Sequence, residues 1–268
     1  MNTIKIALVV QNCPAGNYER NLDSTRNFIT IAIEKGAQLI IFPEMNLTGY
    51  VVDDNILSVS RSVTEDMMNL FNTMAKSFHS TILVGLAEKT PDQNIYASHF
   101  IFCPDGSSEV YRKIHISPFE KKFFSAGNKI SVFRSHDLIF GVQLCYDAHF
   151  PELSQAMALK QADLIIIPHA SPRGTPQEKY NSWIRHLRAR AFDNGLYIAA
   201  LNQMGDNKKG LSFPGICLLI GPDGNVVYKS IDDIESVHII TIEKSVLSEV
   251  RSHPMKYFLP NRRTDLFQ

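Results

Sequence analysis

The chain has no charge of either sign to spare. Its 27 Lys and Arg residues cancel its 27 Asp and Glu residues over 268 positions, with a pI near 7.1. A balanced chain sets up no field to draw in nucleic acid or an anionic membrane, so neither is expected as a partner. Cysteine is scarce. Cys13, Cys103, Cys145 and Cys217 are widely spaced, with no CxxC pair and no secretory context. That excludes a disulfide framework and points to reduced thiols in a cytoplasmic protein. No apolar run nears the roughly 20 residues needed to cross a bilayer. The Met1 to Val10 stretch is too short for a signal peptide and reads as a first strand. The nine histidines include no HxxxH or HExxH, so no metal site is expected. No glycine-rich loop joins a strand to a helix, so no nucleotide is expected either, and no cofactor of any kind. With no linker, repeat or low-complexity block, residues 1–268 read as a single domain.

What is present is a 44% hydrophobic chain cut into short apolar runs. Strand-length runs stand at 4–11, 38–43, 81–87, 94–103, 109–114, 138–144, 163–168, 196–201, 215–220, 226–228 and 237–242. Helical spacing predicts helices over 18–35, 62–78, 153–160 and 178–194. Gly36 and Gly195 stand as C-terminal stops, and Thr64 as an N-cap. The apolar run at 163–168 suits a sheet covered on both faces. Hairpin-like pairs at 81–103, 99–114 and 215–228 require antiparallel stretches. The pattern predicts an α/β layered fold: two mixed sheets packed face to face, each covered by helices. The segment 251–268 shows weak periodicity and is expected to pack on another subunit.

The chain is organised around residues 138–152. An apolar run leads into Cys145, and Pro151 and Glu152 then open a helix. Pro suits a first helical turn and Glu complements the positive end of the macrodipole. Cys145 therefore sits on a strand-to-helix turn, a setting that lowers a thiol pKa and leaves sulfur accessible. Gly141 is expected to let another backbone approach the strand. A small buried hydrophobe is the alternative reading of Cys145. Glu44 and Lys113 also stand at the ends of apolar strands, where α/β sheets build their sites. A thiol nucleophile needs a base and its tetrahedral intermediate needs a positive donor. Glu44 and Lys113 supply those two chemistries. Read singly, each is equally well a loop or surface charge.

Taken together, these landmarks resemble the nitrilase superfamily of carbon–nitrogen hydrolases over essentially the whole chain. They are Phe42–Pro43–Glu44 with Leu47 to Tyr50, Tyr111 to His115, Cys145–Tyr146–Asp147 with Phe150 to Glu152, and Arg188 to Ala191 with Asn194. Asn202 with Gly205, Gly221 to Gly224, and Arg262–Arg263 complete the set. The resemblance implies a four-layer αββα sandwich that dimerises, and a Glu44–Lys113–Cys145 triad supported by Glu120. It also implies that the Tyr146 N–H joins Lys113 in holding an oxyanion. The expected function is hydrolysis of a small linear amide or carbamoyl amine through a cysteine thioester, with release of ammonia or amine. Nitrile hydrolysis and a non-catalytic binding role on the same fold remain as alternatives. Members acting on carbamoyl amino acids carry arginines just after the Cys–Tyr–Asp motif, where this chain has Ala148 and His149. Substrate contacts are therefore sought at His149, His169 and Arg173. The helix bearing Trp183 is similar to that of N-carbamoylputrescine amidases, but its stripe is adequately explained as core.

Overall fold

Strand β1, Thr3–Val10, sends Ile4, Ile6, Leu8 and Val10 to one side and Ala7 and Val9 to the other, and all six are buried. A strand with two apolar faces has to be covered on both. In the computed structural model, which describes residues 3–266, that requirement sets the layers. Met1, Asn2, Phe267 and Gln268, at the ends of the expected domain and tail, lie outside the described residues.

Helix α1 (Tyr18–Glu34) follows β1, then β2 (Leu39–Ile41), α2 (Ile56–Val59), α3 (Glu65–Phe78), β3 (Thr81–Lys89), β4 (Ile95–Phe102) and β5 (Ser108–Arg112). The second half runs β6 (Val132–Ser135), β7 (Leu138–Val142), α4 (Pro151–Leu159), β8 (Leu164–His169), α5 (Pro176–Asn194) and β9 (Tyr197–Asn202). It closes with β10 (Gly205–Asp206), β11 (Ser212–Phe213), β12 (Cys217–Ile220), β13 (Val226–Ser230), β14 (Ser236–Glu243) and α6 (Lys244–Ser252).

One six-stranded sheet has the order β14-β1-β2-β3-β4-β5, and the other β13-β12-β9-β8-β7-β6. The central trios β1–β2–β3 and β7–β8–β9 are parallel and their flanks antiparallel, so both sheets are mixed. Ile4, Ile6, Leu8 and Val10 meet the second sheet in the inter-sheet core. Ala7 and Val9 pack with Phe28, Ile29 and Ala32 of α1 and Phe71 and Ala75 of α3. Helices α4 and α5 cover the second sheet, α5 burying Trp183, Leu187 and Ala191. The expected αββα sandwich is what forms.

Local signals account for most boundaries. Thr64 caps α3 by accepting from the Met67 N–H at 3.2 Å, an arrangement worth about 1 kcal/mol. Helix α5 starts two residues earlier than its apolar stripe suggests. Pro176 is its first residue, and Thr175 and Glu178 form a reciprocal capping box. Strand β6 and helix α6 go beyond the expected elements. β6 is a four-residue edge strand with a weak pattern of its own, and it forms by pairing with β7.

The reading of Gly141 is corrected. A Cβ there would lie 2.5 Å from the Met157 Sδ of α4, so a side chain, not a backbone, occupies that space. The start of the tail has contacts of its own. Arg251 donates to Gly195 O, Asp163 Oδ1 and Ala162 O, and Leu259 is buried, so the tail begins docked on its own sandwich. No helix among the described residues is long and apolar enough to cross a membrane.

Candidate active site

The carboxyl ends of the two parallel trios open at one edge of the sandwich, and each carries a charged or nucleophilic residue a few positions past its strand. Glu44 follows β2, Cys145 follows β7, and Ala170 follows β8 directly. Lys113 is the first residue after β5.

The loop after β2 is held by polar groups buried against the sheet. Asn46 accepts from the Gly85 N–H at 2.7 Å and donates to Thr25 Oγ1 at 2.9 Å, and Thr48 Oγ1 accepts from the Ala87 N–H. A Cβ on Gly85 would lie 2.3 Å from the Met45 nitrogen, so only glycine lets this loop lie across β3. Asn46 and Thr48, formally a glycosylation sequon, are fully buried braces of the site.

Cys145 opens a 3-10 turn, Cys145–His149, with a backbone φ of 42°. A non-glycine residue in the left-handed region stores strain, and a sharp elbow that lifts a side chain out of a strand end is where such strain recurs. Asp147, fully buried, holds the elbow. It accepts from the Leu144 N–H, the His115 N–H and the Tyr111 hydroxyl, at 3.0, 2.8 and 2.8 Å. Those bonds tie the Cys145 turn to the segment that carries Lys113.

The Lys113 ammonium is buried and donates to Glu44 Oε1 at 3.0 Å and to both Glu120 oxygens at 2.9 and 3.0 Å. The second Glu44 oxygen accepts from the Ala170 N–H at 2.9 Å, and Gln203 donates to the Glu44 carbonyl. Tyr50 and the Ser117 N–H donate to Glu120 at 3.2 and 3.0 Å.

The two carboxyls are driven apart. Burial pushes Glu44 up, Lys113 pulls it down and Glu120 pushes it up again, leaving it at about 7. Burial also works to raise Glu120, but the Lys113 charge and the donors from Lys113 and Ser117 win, and it stays below the ordinary carboxylate range. Burial opposes charge on Lys113, yet the two carboxylates hold its pKa well above the usual lysine value. The Cys145 thiol is pushed up, first by desolvation and then by the Glu44 charge, with Lys113 opposing. This overturns the expectation of a lowered thiol pKa. The five-residue turn gives little dipole, and burial, joined by the Glu44 charge, outweighs it. The resting site therefore holds a protonated thiol beside a carboxyl poised near neutrality.

A cavity of about 340 Å³ opens over these groups. Its lining includes Lys113, Glu120, Cys145 and Tyr146, with Tyr50, Phe119 and Leu211. Ala170, Ser171 and Arg173 come from the loop after β8. The structure thus brings together Glu44, Lys113, Cys145, Glu120, Tyr146 and Arg173. It does not bring in His149 or His169. His149 is solvent-exposed and lies against His186, ring centroids 4.7 Å apart. His169 is buried behind the cavity wall, stacked on Trp183 at 3.9 Å, with Nδ1 against Ile167 O. Both stand at strand or turn ends, but their side chains leave on the helix side, which spacing alone does not show. The sequence reading missed Tyr50, Asp147 as the brace, and the Ala170 N–H. The Asp147 signal was the Cys–Tyr–Asp motif itself. Among the described residues, no group of three or more His, Cys, Asp or Glu side chains is arranged to hold a metal ion.

The family model for carbon–nitrogen hydrolases matches residues 5–252. The chain belongs to the carbon–nitrogen hydrolase family. It is similar to a nitrilase of Pyrococcus abyssi, with 29% identity covering 98% of this chain and 99% of that protein. It is likewise 29% identical to an omega-amidase of Xenopus laevis, over 92% of this chain and 91% of that protein. The crystal structure of a carbon–nitrogen hydrolase from Helicobacter pylori superposes with a TM-score of 0.88 at 26% identity, covering 99% of this chain and 97% of that one. As a member of the amidase and nitrilase branch, this carbon–nitrogen hydrolase is an enzyme acting on carbon–nitrogen bonds.

Proposed function

We propose that the protein hydrolyses small linear amides through a thioester on Cys145, with Glu44 as base and Lys113 as oxyanion donor. The observation that carries this reading is geometric: one buried ammonium, Lys113, bridges Glu44 and Glu120 at a cavity that Cys145 lines, with Glu120 gripped by two contacts and Glu44 by one. Glu44 takes the thiol proton as sulfur attacks the amide carbon. Negative charge moves from Glu44 to the substrate oxygen. Lys113, released from its ion pair with Glu44 but still held by Glu120, turns its ammonium to that oxygen. The Tyr146 N–H, which has no protein acceptor among the described residues, is the second donor. Glu44 returns the proton to the nitrogen, the C–N bond breaks and ammonia or amine leaves. Water then gives a proton to Glu44 and attacks the thioester, and the departing thiolate recovers that proton. Glu120 orients Lys113 and takes no proton in the cycle. The test is ammonia release from primary amides, carbamoyl amines and nitriles, with product analysis. Turnover confined to nitriles would replace the amide reading with a nitrilase one.

Arg173 gives the cavity mouth an exposed cation. Its backbone is left-handed, with φ at 67°, and its N–H donates to Ser212 O at 2.8 Å. No carboxylate among the described residues pairs with its guanidinium. Arg binds carboxylates with two aligned donors. Arg173→Ala keeps the Cβ and the backbone and removes the guanidinium together with the Cγ and Cδ methylenes that carry it. It is expected to raise KM for amides with a carboxylate tail about tenfold more than for neutral amides of equal length. Equal rises for both classes would show that Arg173 only shapes the loop.

The chain is further proposed to be a homodimer. Phe192 of α5 and Phe258 of the tail lie 5.6 Å apart, ring to ring, and both are exposed, as is Met255. Light scattering at micromolar concentration is expected to give twice the 30.2 kDa chain mass. A monomer mass overturns this.

A further inference from the structure

The cavity that Lys113 lines also contains a hydroxyl whose proton is free to be donated. Ser171 lines the cavity. Its backbone is pinned from both sides by Asn202, which accepts from the Ser171 N–H at 2.9 Å and donates to its carbonyl at 3.0 Å. Its Oγ accepts from the Lys179 ammonium of α5 at 2.6 Å, and Lys179 also donates to Pro172 O at 2.9 Å. Lys179 has no carboxylate within ion-pair distance among the described residues. Both its recorded partners are neutral oxygens. It is partly buried, and desolvation lowers its pKa, with the nearby Cys145 and Glu178 pulling the other way.

A serine hydroxyl has one proton and two lone pairs. An ammonium can only donate, so the Lys179 contact uses a lone pair and leaves the Ser171 proton to find an acceptor elsewhere. Among the described residues the Ser171 hydroxyl donates to no protein acceptor. A donor contact from a cation also makes that hydroxyl a stronger donor, because hydrogen bonds in a chain polarise one another. The cavity lining therefore includes a polarised hydroxyl with a proton to give, among the apolar surfaces of Val52, Phe119, Pro172 and Leu211 and beside the polar groups of Ser117 and Arg173.

Resting on the amidase reading above, we propose that Ser171, polarised by Lys179, is a specificity-determining donor that selects substrates bearing an acceptor oxygen part-way along an otherwise apolar chain. Ser171 makes the contact. Lys179 is a positioning residue that acts through it. This recognition needs no charge on the substrate and is separate from any carboxylate held by Arg173.

The test uses matched amides in which an ether oxygen replaces one methylene. Methoxyacetamide is compared with butanamide, 3-methoxypropanamide with pentanamide, and 4-methoxybutanamide with hexanamide. An ether only accepts, so it reads the donor alone. The quantity followed is the ratio of kcat/KM for each ether to that for its alkyl partner within one variant, so losses common to both cancel. At one chain length the ratio is expected to fall about tenfold in Ser171→Ala, the effect of one hydrogen bond left unmade. Lys179→Met is expected to lower the same ratio, and the double variant to lower it no further than Ser171→Ala. The ratio of Kd values measured by calorimetry on the Cys145→Ala protein gives the same comparison without turnover. Either single variant keeping the wild-type ratio at all three lengths, in both measurements, overturns the proposal. So does an equal loss on ether and alkyl amides in Lys179→Met, which would make the lysine a brace for the loop. Failure of the amidase reading looks different: the wild type would then hydrolyse none of the six amides, whatever the Kd ratios show.

Discussion

Cys145→Ala is expected to remove hydrolysis entirely, by at least about 10⁴-fold in kcat, while leaving the fold in place. Loss of a nucleophile that works as a unit with its base removes nearly all that the unit contributes. The structural cost is small for two reasons. Alanine keeps a Cβ and so meets the same 42° φ that cysteine already tolerates, without new strain. Cys145 is only partly buried at the cavity, so removing its sulfur costs about 1 kcal/mol of burial, or roughly 2–4 °C in Tm for a chain of this size. Intact-mass and peptide analysis of the wild type with substrate is expected to show an acyl adduct on Cys145. Cys13, Cys103 and Cys217 are buried away from the cavity and are expected to stay unmodified. An adduct on one of those three, or residual turnover above a few per cent in Cys145→Ala, would remove Cys145 from the role proposed for it.

The layers were legible in the sequence because period-2 apolar patterning and strand-length runs dictate which faces must be covered. β8, Leu164–His169, is buried throughout and reads so from composition alone. The hairpins β3–β4, β4–β5 and β12–β13 follow from short polar turns such as Pro222–Asp223–Gly224. That Glu44, Lys113 and Cys145 gather at one edge of the sandwich was legible because each stands just past a strand. What the sequence could not convey is three-dimensional balance. Whether Cys145 is a low or a high thiol depends first on the pocket that desolvates it and then on the charge of Glu44, about a hundred positions earlier in the chain. Likewise the division between Glu44 and Glu120 depends on which of them Lys113 grips with two contacts and which with one. His149 and His169 lie outside the cavity lining because a strand or turn end fixes where a residue sits, not the side on which its ring leaves. Nothing in the sequence marks Asn46 and Thr48 as braces, and only the Gly85 and Ala87 N–H groups beneath them give them that role.

Glu44→Gln is expected to lower kcat by at least about a hundredfold, the usual scale for losing a positioned base. The amide keeps the size of the side chain and an oxygen to accept from the Ala170 N–H, so the loop after β8 is expected to stay in place. Lys113 keeps its two bonds to Glu120 in this variant. Lys113→Ala is the less clean experiment. It leaves two buried carboxyls without their counter-ion, and breaking a buried ion pair from one side costs about 3–5 kcal/mol. Its loss of activity would be mixed with loss of fold. The wild-type pH profile gives a second, independent check on Glu44. The base must be ionised to take the thiol proton, and Glu44 is protonated below its pKa of about 7, so kcat/KM is expected to fall as pH drops through that value. Well below it, each pH unit should cost about tenfold. A carboxyl at its ordinary value of 4.5 would instead keep the rate flat down to that pH. Glu120, held ionised by Lys113 and Ser117, contributes no limb in the neutral range. An acid limb near 4.5 in an enzyme still folded at that pH, or a Glu44→Gln variant within tenfold of wild-type kcat, would assign the proton transfer to another group and leave Glu44 as a mere partner of Lys113.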